Sequence, residues 1–62
     1  METNKKELAK RFLALRQKLG LTQQEISELF NVHYTSWQGW EYGLVVPLSK
    51  HIRMLDRFEK KF

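Results

Sequence analysis

Between Gly20 and Glu25 the chain carries a helix stop and a helix start almost back to back. Glycine adopts the left-handed backbone that closes a helix without steric cost. Thr22 followed by Glu25 has capping-box spacing, in which each side chain binds the other residue's backbone N–H. Two helices must therefore meet at a sharp corner here. The rest of the chain extends the pattern. Asn4 and Glu7 can start the first helix, and Leu8, Phe12, Leu15 and Leu19 recur at i, i+4, i+7 and i+11 to give it one apolar face. The second helix is short, with Ile26, Leu29 and Phe30 facing inward. Asn31 tolerates a left-handed turn, and Val32 can plug the corner.

A third helix is predicted from about Tyr34 to Tyr42, with His33 flanking its start. Trp37 and Trp40, at i and i+3, share its inner face, and Gly43 supplies the stop. Pro47 keeps Leu44-Val45-Val46 extended. A fourth helix starts near Leu48 or Ser49, with Leu48, Ile52, Leu55 and Phe62 on one apolar line and Met54 and Phe58 beside it. These 62 residues suffice for one domain, 1–62, and they contain no cysteine, so neither a disulfide nor a thiolate metal site can supplement a small core. His33 and His51 lie too far apart to suggest a metal site. The expected fold is all-α with four helices.

Charge is segregated along the chain. Residues 1–22 hold six bases and two acids, residues 23–43 hold three acids (Glu25, Glu28, Glu41) and no Lys or Arg, and residues 44–62 hold five bases and two acids. The net charge of +4 and a pI of about 9.7 favour an anionic partner. No run approaches the roughly 18 apolar residues of a membrane span. The start of the chain lacks a signal-peptide pattern, so a cytoplasmic protein without a membrane partner is expected. No nucleophile, acid pair or metal-ligand spacing supports an enzyme, a cofactor or a small-molecule substrate.

Two short helices joined by a tight turn, here Thr22 to Gly43, form the unit that lays its second helix in the DNA major groove. Free N–H groups at the start of the second helix bind phosphate, and Gln23 adds a side-chain donor. The third helix offers Tyr34, Thr35, Gln38 and Gly39 to base edges, with Ser36 and His33 beside them. Gln38 can pair bidentately with adenine, and Thr35 or Tyr34 can meet a thymine methyl or accept from a base. Gly39 allows close approach to DNA, or is merely a weak point in the helix.

The series Leu15-Arg16, Leu19-Gly20-Leu21-Thr22-Gln23-Gln24-Glu25-Ile26, Val32, Trp40-Glu41-Tyr42-Gly43 and Pro47 resembles the Cro/cI repressor family, also called lambda-repressor-like or XRE-type, over about residues 8–52. Ser36-Trp37-Gln38, Trp40-Glu41, Gly43 and Pro47 are similar to a subset that includes anti-CRISPR-associated repressors and antitoxin-like proteins. The resemblance implies base contacts from Tyr34, Thr35 and Gln38 or Gly39, and a phosphate contact from Gln23. It also implies a pair between Arg16 and Glu41 that ties the recognition helix to the first. Thr22, His33, Ser36, Lys50 and Arg53 complete the expected phosphate contacts. The chain departs from the pattern at Ser27, where alanine is usual, at Gly39, and in the uncharged loop Leu44-Val45-Val46. A fifth helix, present in many relatives, is not expected.

The function expected is that of a transcriptional repressor binding a near-palindromic double-stranded operator as a homodimer, with Met54, Phe58 and Phe62 forming the dimer contact. The alternative is a protein-interaction module, such as an antitoxin, using the apolar loop and the end of the fourth helix.

Overall fold

The computed structural model describes residues 4–62; Met1, Glu2 and Thr3, the start of the expected domain, lie outside the described residues. The described chain forms α1 (Lys5–Leu19), α2 (Gln23–Leu29), α3 (Tyr34–Glu41) and α4 (Ser49–Lys61), with no strand. The fold is all-α.

Side-chain caps set the starts of the first three helices. The Asn4 carboxamide oxygen accepts from the Lys6 and Glu7 backbone N–H groups. At α2 both halves of the Thr22–Glu25 capping box are made, at 2.9 and 3.1 Å. The His33 ring caps α3 by accepting from the Thr35 backbone N–H. The stops follow the glycine and asparagine positions: Gly20, Asn31 and Gly43 have φ of 68°, 57° and 74°. The third helix closes one residue earlier than predicted, at Glu41, with Tyr42 as its cap.

The core is aromatic. Trp37 of α3 sits between Phe12 of α1 and Phe30, the residue that caps the end of α2, each ring centroid 5.0 Å away and steeply inclined. Edge-to-face contacts of this kind add to the stabilisation from burial alone. Leu8, Leu15, Ile26, Trp40 and Leu55 complete the buried cluster, with Leu19, Val32 and Ile52 partly buried against it. Thus α3 is held by both α1 and α2, while α4 packs on α1 and brings Leu55 into the same core.

Two inward assignments are corrected. Leu29 is 47 % exposed, and Ser27 is buried in its stead. At about 100° per residue, the inward arc of α2 runs through Ile26, Phe30 and Ser27, and Leu29 falls outside it. The Ser27 hydroxyl is satisfied by donating to the Gln24 carbonyl at 2.7 Å. Leu48 is 63 % exposed rather than facing the core. It is the extended residue before α4, so the helical period that aligns Ile52 with Leu55 does not reach it.

Candidate nucleic-acid interface

The outward face of α3 carries Tyr34, Thr35, Ser36 and, partly buried, Gln38. These side chains are joined to one another and to α2. Gln38 Nε2 lies 2.7 Å from Tyr34 Oη and 3.5 Å from Gln23 Oε1, and Gln23 Nε2 lies 3.4 Å from Tyr42 Oη. His33 Nδ1, which accepts from the Thr35 N–H, is also 2.9 Å from the Thr35 hydroxyl. A ring nitrogen that accepts carries no proton, so in the neutral ring the proton sits on Nε2. The Thr35 hydroxyl then donates to the ring and keeps its lone pairs and methyl for other contacts. Tyr42 is a member of this face that sequence reasoning missed. Its position two turns beyond Tyr34 was the available signal.

Gly39 departs from expectation. It is buried, and a Cβ built on it would lie 3.1 Å from Val45 Cγ2. Its carbonyl accepts from the Leu44 and Val45 N–H groups. Gly39 therefore receives the α3–α4 loop on the inner side of the helix and is not placed to meet a base.

Behind the polar face lies an ion pair. Arg16 Nε and Nη2 donate to the two carboxylate oxygens of Glu41 at 2.9 and 2.8 Å, and Arg16 Nη1 donates to the Leu21 carbonyl. Trp37 Nε1 donates to the same carboxylate at 2.6 Å. The Glu41 side chain is 4 % exposed and that of Arg16 22 %. Burial alone would push the Glu41 carboxyl up; the hydrogen bonds from Arg16 and Trp37, with the Arg16 charge, outweigh it and hold the group below the usual carboxylate range. The pair joins α1, the turn before α2 and the end of α3, so it fixes how α3 is presented.

Of the remaining expected phosphate contacts, Thr22, Ser36, Lys50 and Arg53 are exposed. The Thr22 hydroxyl is already engaged as the α2 cap. On α4, Lys50, Arg53 and Arg57 follow at i, i+3 and i+7, and none has an acidic partner within 4.0 Å among the described residues. By contrast Arg11 of α1 is paired with Glu59 of α4, with Nε at 3.1 Å from the carboxylate, and stands 3.9 Å from Asp56. No spacing or motif along the chain announces that link.

The three expected dimer residues have different surroundings. Phe58 packs on Phe30 with ring centroids 4.9 Å apart, and Met54 is likewise partly buried against the core. Phe62 is the exposed member, stacked on Phe58 at 5.9 Å. A second apolar surface is more open: Tyr42, Leu44, Val45, Val46 and Leu48 are all exposed around the α3–α4 loop. His51 packs its ring 4.8 Å from Trp40, and its Nδ1 is buried with no hydrogen-bond partner among the described residues.

Among the described residues no three His, Cys, Asp or Glu side chains group to hold a metal ion, and no helix is long and apolar enough to cross a membrane. Compared with known proteins, the chain matches no family model, no curated protein and no solved structure.

Proposed function

We propose that this chain is a sequence-reading, duplex-DNA-binding transcriptional repressor of the Cro/cI helix-turn-helix type, acting on a near-palindromic operator as a homodimer in the cytoplasm of a bacterial or phage-infected cell. One observation carries the reading: α3 turns an uncharged polar face of Tyr34, Thr35 and Gln38 outward while Arg16, Glu41 and Trp37 fix it from behind. Such a face can discriminate base edges by hydrogen bonding and methyl contact. Lys50, Arg53 and Arg57, which have no acidic partner among the described residues, supply phosphate attraction, which sets affinity without sequence preference.

Duplexes selected from a random pool test the proposal. Thr35→Ala and Gln38→Ala should each weaken binding by about 1–3 kcal/mol per lost base contact and relax the preference at one position. Unchanged affinity and preference in both variants would refute this use of α3. The exposed apolar loop around Leu44 and Val45 favours a second reading, a module whose chief partner is a protein. Salt separates them: duplex binding weakens steeply as salt rises, whereas burial of an apolar loop does not.

A further inference from the structure

Gln38 does not stand free on the α3 surface. Its Nε2 approaches two oxygens of its own chain, Tyr34 Oη at 2.7 Å and Gln23 Oε1 at 3.5 Å. A glutamine amide has two N–H donors and one carbonyl acceptor, and a tyrosine hydroxyl has one donor and can accept. With both of its N–H groups so directed, Gln38 has no donor left for the bidentate contact that a lone glutamine makes to adenine. What the two residues still offer is the Gln38 carbonyl oxygen as acceptor and the Tyr34 O–H as donor, on atoms held side by side.

Reversing both amide planes does not alter this pairing. Tyr34 would then donate to the Gln38 carbonyl, leaving both Gln38 N–H groups as donors and the Tyr34 oxygen as acceptor. Either polarity places a donor on one residue beside an acceptor on the other. In the major groove adenine shows an acceptor, N7, beside a donor, the 6-amino group. Guanine shows two acceptors, cytosine a donor alone, and thymine an acceptor and a methyl. Adenine is the complement.

We infer that Tyr34 and Gln38 act as a single two-residue reader of one adenine. Gln23 is a positioning residue that holds the Gln38 amide, and Tyr42 in turn engages Gln23. The inference rests on the DNA-reading proposal and specifies how its site selects a base.

The test uses the whole chain on duplexes selected from a random pool, with affinity read by fluorescence anisotropy. Parent, Tyr34→Phe, Gln38→Ala and the double variant are compared on the selected site, on each base change, and on duplexes carrying 7-deazaadenine or 6-unsubstituted purine at the adenine. Both single variants should lose preference for adenine at the same position, by about 5- to 150-fold. The double variant should lose no more than the worse single one, because the two residues work as a unit. Both modified bases should weaken the parent and leave the double variant unaffected. Full adenine preference in Tyr34→Phe, with loss only in Gln38→Ala, would overturn the joint reader while leaving DNA reading intact. So would independent losses at two different positions. A parent that selects no duplex would instead overturn the DNA-reading proposal and this inference with it. Because Tyr34 is an exposed side chain, circular-dichroism melts should show all variants folded.

Discussion

Replacing Arg16 by methionine should be among the most damaging single changes in this chain that leave its aromatic core intact. The Glu41 carboxylate has three donors, two from Arg16 and one from Trp37, and its side chain is 4 % exposed. Removal of Arg16 leaves a buried negative charge with the indole N–H alone. Breaking a buried ion pair in this way destabilises by about 3–5 kcal/mol. Natural stability runs at about 0.05–0.15 kcal/mol per residue, so a 62-residue chain has roughly 3–9 kcal/mol in all. Arg16→Met should therefore lower Tm by more than about 12 °C, at 4–8 °C per kcal/mol for a domain of this size. Glu41→Gln should be milder, at about 1–3 kcal/mol. It keeps an acceptor for Trp37, and the stranded guanidinium is 22 % exposed and can still reach the Leu21 carbonyl.

The pH dependence separates this account from mere loss of packing. In the parent the folded Glu41 carboxyl lies below its usual range, so the stability it contributes is full above the ordinary carboxylate pKa and is lost as pH falls through the lowered folded value. In Arg16→Met burial acts without its main opponent and pushes the carboxyl up. Protonation then relieves the stranded charge, and the gap between parent and variant should narrow as pH drops from 7 toward 4.5. Urea unfolding at several pH values measures it. A loss below about 1 kcal/mol, a pH-independent gap, or a greater loss in Glu41→Gln than in Arg16→Met would refute the reasoning.

His51→Phe should preserve or raise stability and flatten its pH dependence below about 6.5. Burial, then the charge of Lys50, lowers the His51 pKa, so the parent is fully stable above the unfolded value and weakens as pH falls below it; equal Tm slopes in parent and variant would exclude this. Gly39→Ala should be neutral or stabilising by up to about 1 kcal/mol in thermal melts, since Val45, which its Cβ would meet, is 52 % exposed and can yield. A loss above about 1 kcal/mol would mean that the loop is rigid. Phe62→Lys should dissociate the proposed homodimer in sedimentation and weaken operator binding, and a parent monomeric both free and on a full operator would dispose of α4 as the interface.

Much of this fold was legible because its signals are local. Gly20, Thr22 with Glu25, Asn31 and Gly43 each act on their own turn of backbone, and each sits where its chemistry suits it. Apolar periodicity likewise placed Leu8, Phe12, Leu15, Ile26, Phe30, Trp37 and Trp40 inward. The misplaced residues lie at the edge of such patterns. Leu29 lost its inward place to a smaller serine, and Leu48 precedes the helix whose period its spacing in the sequence only mimics. Links between distant segments were another matter. Arg11 and Glu59 are 48 residues apart, and nothing in the spacing of either announces the other. Arg16 and Glu41 were joined in the sequence only through family resemblance. Whether Gly39 faces a ligand or a loop depends on where Val45 returns, which no local rule decides.

The same distinction governs how charge along the chain should be understood. As a string, residues 23–43 carry three acids and no base, a poor prospect for meeting phosphate. In the fold two of those acids are already engaged. Glu41 is neutralised by Arg16 and turned inward, and Glu25 accepts from the Thr22 N–H at the start of α2. Only Glu28 is left as an acid without such a partner among the described residues. The outer face of α3 is thus close to neutral rather than acidic. Under the proposed function, neutral hydrogen-bonding side chains would discriminate bases there, and attraction to the backbone would fall to Lys50, Arg53 and Arg57 on another helix. Affinity and selectivity would reside on separate elements, so α4 charges and α3 polar groups can be changed independently.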